Sequence, residues 1–76
     1  MKMYFKNIAG QVYTMLDSDT FQVIDLYYTS QLSSTNNVIK ESFYNTRFTE
    51  TQDSSKWHAS NEEDFNAVKT NIINNL

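Results

Sequence analysis

The feature that most constrains this chain is a single amphipathic helix signal near its C-terminus. Ser60-Asn61-Glu62-Glu63 reads as a capping box. Ser60 is placed to accept from the amide of Glu63, and Glu63 to reach back to the amide of Ser60. Glu62, Glu63 and Asp64 oppose the positive end of the helix dipole. Phe65, Val68, Ile72 and Leu76 recur at spacings of three and four, so one stripe is apolar, and Ile73 widens it. The pattern predicts a helix over about 61–74. A helix with one apolar stripe must bury it against something, and the residues before it read as extended.

Residues 2–6 and 11–16 are short and rich in aromatic or β-branched residues, and predict two strands. Asn7-Ile8-Ala9-Gly10 between them suits a type I turn closed by a left-handed glycine. Gly10 is the only glycine in the chain, and it falls where a positive φ is needed. Asp17-Ser18-Asp19-Thr20 is a second turn, stabilised by side chains bonding nearby amides. It is no EF-hand loop, because Gln22 and Tyr28 stand where the glycine and the final glutamate belong.

Residues 21–28 predict a third strand. Phe21, Val23, Asp25 and Tyr27 share one face, and Ile24, Leu26 and Tyr28 the other. Both faces are partly apolar, as in a central strand. Residues 30–37 read as a loop or the outer end of a hairpin. Residues 38–49 predict a fourth strand, exposed or curved because its alternation is imperfect. Residues 50–55 read as a polar linker, and Trp57 as the residue that locks the start of the helix against the sheet. The expected fold is α+β: a four-stranded antiparallel β-meander followed by one C-terminal α-helix packed on one sheet face, in a single domain over residues 1–76.

With 76 residues and no cysteine, the domain has no disulfide, thiolate nucleophile or Cys-based zinc site to draw on. A chain of this size buries only about 60% of its unfolded surface, and oligomerisation is one common remedy. Six scattered basic residues against nine acidic ones give a net charge of −3, so no nucleic-acid partner is expected. No apolar run approaches membrane-spanning length, and the opening Met1-Lys2-Met3-Tyr4-Phe5-Lys6 is too short in apolar residues for a signal peptide. The expected location is cytoplasmic, with no membrane partner.

His58, the only histidine, has Asp53, Ser54, Ser55 and Ser60 nearby in sequence, but at no catalytic spacing. No enzyme activity, cofactor or metal is expected. The tyrosines carry more information. Tyr4, Tyr13, Tyr27, Tyr28 and Tyr44 all fall in predicted strands, and one helix covers one sheet face. The surplus rings either pair across strands or form a binding face; a base-stacking platform is disfavoured by the charge.

Two stretches carry a family resemblance. Tyr4-Phe5-Lys6-Asn7, Gly10 and Val12-Tyr13 resemble the opening hairpin of many small bacteriophage proteins. Trp57, Ser60 and Glu62-Glu63-Asp64-Phe65-Asn66 resemble their strand-to-helix close. The likeness covers about a third of the chain. It implies a phage or mobile-element origin, hence a host-cell cytoplasm, and assigns no catalytic residue. The expected function is a small non-enzymatic protein-binding modulator acting through an aromatic sheet face or an edge strand. Tyr13, Tyr27, Tyr44 and Arg47 are its binding candidates. The alternative is a structural homodimer or assembly protein.

Overall fold

The first hairpin forms where the sequence places it. Strand β1 (Lys2–Asn7) pairs antiparallel with β2 (Val12–Asp17), with Tyr4 opposite Met15 and Phe5 opposite Thr14. Gly10 has φ +69°, and its amide donates to the Asn7 carbonyl at 3.0 Å. The Asn7 side chain accepts from the amides of Gln11 and Val12, which fixes the turn. This computed structural model describes residues 1–29 and 32–74.

The second turn delivers the chain to β3 (Gln22–Tyr27), which pairs with β2. Asp17 Oδ1 accepts from the Asp19 amide at 3.0 Å. Phe21, expected to begin the strand, instead closes the turn with φ +59°. A bulky residue is rare in that region. Its ring packs edge-on to Tyr44, with centroids 5.5 Å apart.

The middle of the chain departs from the sequence reading. Strand β4 (Ser34–Ile39) forms from a segment read mostly as loop, and pairs along its length with β3. Ser and Asn are poor strand formers, but strand propensity yields readily to cross-strand context. The loop expected over 30–37 therefore shrinks, and residues 30 and 31 lie outside the described residues. The strand expected over 38–49 is mostly helix α1 (Glu41–Thr51). Tyr44, Arg47, Phe48 and Thr51 are spaced by three and four, and this period caused the imperfect alternation. The aromatic and Thr residues that suggested a strand are only modest helix formers.

A turn over 53–56 leads to β5 (Trp57–Ala59), a three-residue strand beside β1. Trp57 thus lies in the sheet, opposite Asn7. Helix α2 (Glu62–Asn74) follows, with Phe65, Val68 and Ile72 buried as the stripe predicts and Ile73 exposed. Leu76 lies outside the described residues. The cap differs from the capping box. Asn61 Oδ1 accepts from the Asp64 amide at 2.7 Å, while Ser60 Oγ donates to Asp64 Oδ2. Asn61 is therefore the N-cap.

The sheet has five antiparallel strands in the order β4-β3-β2-β1-β5. The expected layout of four strands and one C-terminal helix is corrected to five strands and two helices. Alternation along β2 sends Met15 to one face and Leu16 to the other. Met15, Leu26 and Ile24 pack with Phe65, Val68 and Ile72 of α2, joined by Tyr4 and Tyr13. Leu16 and Val23 pack with Tyr44 of α1, joined by Met3, Phe5 and Phe43. One helix covers each face. Because β5 is antiparallel to β1, it runs in the same direction as β4, and α1 carries the chain from one edge of the sheet to the other.

Candidate functional site

Asp25 is the most constrained polar residue. Its place on β3 points it at the α1 face, and it is fully buried. Arg47 on α1 answers it, with an Nη2–Oδ2 distance of 2.7 Å. The other terminal nitrogen, Nη1, donates to Glu50 Oε2 at 2.6 Å. The Tyr27 hydroxyl donates to Asp25 Oδ2 at 3.4 Å. The guanidinium carbon lies 5.7 Å from the Phe43 ring centroid and 5.5 Å from that of Trp57, within cation–π range. Burial opposes the Arg47 charge, but the Asp25 hydrogen bond and the charges of Asp25 and Glu50 outweigh it and raise the pKa. Burial, followed by the Asp25 charge, raises the Tyr27 pKa. Arg47 is thus a fixed cation holding α1 to the sheet.

The four candidate binding residues are therefore divided. Tyr27 and Arg47 meet at Asp25. Tyr13 is half-buried on the opposite face, against the α2 cluster. Tyr44, expected in a strand, is buried in α1 and stacks on Phe48 at 6.2 Å. The covering of the second face by α1 removes the surplus of uncovered strand aromatics that suggested a binding face.

Two surface depressions are modest. One, of about 360 Å³, is lined by Gly10, Gln11, Tyr28 and Thr29. Another, of about 310 Å³, is lined by Thr49, Glu50, Asp53, Lys56 and Trp57. Its carboxylates have structural partners: Glu50 holds Arg47, and Asp53 Oδ1 accepts from the Ser55 amide and hydroxyl. These Ser55 bonds hold the Asp53 carboxyl below its usual pKa. Among the described residues, no group of three or more His, Asp and Glu side chains is placed to hold a metal ion. No described helix is long and apolar enough to cross a membrane.

The edge of the sheet at β4 is the feature the sequence did not reveal. The Lys40 amide donates to the Phe21 carbonyl, and the Tyr28 amide to the Gln11 carbonyl. In an antiparallel ladder successive residues bond to alternate sides. Even-numbered residues of β3 therefore face β2, and odd-numbered ones face β4. Even-numbered residues of β4 face back to β3. The backbone groups of Thr35, Asn37 and Ile39 point away from the sheet. All three residues are exposed, and β4 contains no charge and no proline. Natural edges are commonly blunted by such residues. At the other edge, β5 offers only three residues. The β-branched Thr35, Val38 and Ile39 were a strand signal, masked by the serines and asparagines among them.

No protein-family model, curated protein or solved structure matches the chain.

Proposed function

We propose that the chain is a small non-enzymatic protein-binding module that acts by strand addition at the β4 edge. The observation supporting this is the outward row of backbone donors and acceptors at Thr35, Asn37 and Ile39, on an exposed strand with no charge. Main-chain hydrogen bonds supply affinity in this mode of recognition, and alternate side chains supply selectivity. The aromatic sheet face expected from the sequence is not retained as the binding surface, because each face carries a helix.

The test is residue-resolved amide hydrogen exchange of the chain, alone and with peptides selected for binding to it by display. Bound peptides are expected to protect the amides of Thr35, Asn37 and Ile39. They are also expected to lose affinity for Asn37→Pro, which deletes one outward donor without removing a bond to β3. Tight peptides that leave these amides unprotected would refute the edge as the binding surface.

A further inference from the structure

We infer that the strand added at this edge is β4 of a second copy of the chain, antiparallel about a two-fold axis at Asn37. The inference rests on the edge-binding function proposed above and names its partner. Two such edges join only where outward-facing residues meet outward-facing residues. One register uses all three: Asn37 opposite Asn37 of the partner subunit, with Thr35 and Ile39 of each copy opposite Ile39 and Thr35 of the other. Each of these pairs is of the kind that exchanges two hydrogen bonds.

The side chains accept this register. Thr35, Asn37 and Ile39 share the face of β3 residues Leu26, Ile24 and Gln22. Ile39, 68% exposed in the isolated chain, gains a cross-strand threonine, a β-branched pairing that suits a sheet. Asn37 is already held by Gln22, whose Nε2 lies 3.1 Å from Asn37 Oδ1. No like charges meet: Lys40 comes opposite Ser34 of the partner subunit. Each copy carries a net charge of −3, yet the seam itself is neutral. A row of Thr, Asn and Ile also lacks the charge or aromatic anchor by which an interface usually selects a foreign sequence. The contact is isologous, and the short β5 strands lie at both outer edges. The assembly therefore closes as a ten-stranded sheet instead of growing into a fibre. One strand pair lies at the small end of interface sizes, so dissociation is expected at about 10 µM or above.

The experiment is sedimentation equilibrium from low micromolar to millimolar concentration on the wild type, Asn37→Lys, Asn37→Asp and an equimolar mixture of the two variants. Thermal melts check that each folds. The wild type is expected to dimerise with rising concentration. Each variant alone, placing like charges face to face on the axis, should shift dissociation at least tenfold. The mixture should recover a dimer, because opposite charges then meet. A wild type that stays monomeric at millimolar concentration overturns the second copy as partner and leaves strand addition to the peptide experiment. A dimer indifferent to charge at position 37 is built on another surface and overturns the inference as well.

Discussion

Arg47 shows how much one side chain carries in a domain this small. It is the cation for a fully buried carboxylate and lies close to two aromatic rings, Phe43 and Trp57. Removing one partner of a buried pair typically costs about 3–5 kcal/mol, because the other charge is left unpaired. Arg47→Ala is therefore expected to lower stability by about 3 kcal/mol in urea unfolding. The double replacement Asp25→Leu with Arg47→Met should recover most of that loss. Gly10 makes a smaller, cleaner case. A Cβ there meets nothing within 4 Å, so Gly10→Ala carries only the backbone penalty of the left-handed conformation. A loss of about 1–2 kcal/mol is expected, read from the same curves. The turn carboxylates set the acid limit. Asp17 is held below its usual pKa of 3.8, chiefly by the Asp19 amide, and Asp53 likewise by Ser55. A depressed carboxylate binds its proton more readily when unfolded. Its contribution is therefore present above pH 3.8 and lost as pH falls through the lower folded value. Thermal melts from pH 6 to pH 2 should show a falling midpoint below about pH 4, and Asp53→Asn should flatten part of that fall.

The two helices are unequal, and the difference explains which one the sequence revealed. α2 has an Asn61 cap, three acidic residues in its first turn and an apolar stripe at helical spacing. Asn61→Ala is expected to cost about 1 kcal/mol, or about 4–8 °C in the melting midpoint for a domain of this size. α1 begins at Lys40 with no side-chain cap and has no basic residue in its last turn. Its buried face mixes Tyr44 and Thr51 with the polar head of Arg47. Such a helix is held by tertiary contacts more than by its own sequence, so its periodicity reads ambiguously as a poor strand. Native-state hydrogen exchange should rank the α1 amides below those of β2 and β3 in protection. The first hairpin, β3 and α2 were legible because turn chemistry and burial pattern agree there. β4 and α1 were not, because β4 is specified by pairing with β3, and α1 by Asp25 on a distant strand.

At the scale of the whole molecule, the second helix changes which surface of the sheet stays open. With one helix, a sheet this rich in tyrosine would present a bare aromatic face; with two, what remains open is the rim. Of the candidate binding residues, Tyr13 lies against one helix cluster, while Tyr27, Tyr44 and Arg47 belong to the opposite side of the sheet. Aromatic or cationic side chains mark these four in the sequence, whereas the edge is marked by backbone groups that no side-chain inventory displays. The path of α1 from the β4 edge to the β5 edge also bears on how the chain reaches this structure. β1 through β4 each pair with their neighbour in sequence, so they can assemble from contacts close along the chain. β5 joins β1 only after the chain has traversed the whole sheet, and that long loop closure is costly until α1 has docked. During synthesis β4 emerges before α1, so the face that α1 covers in the finished fold is bare until the chain beyond Lys40 has been made.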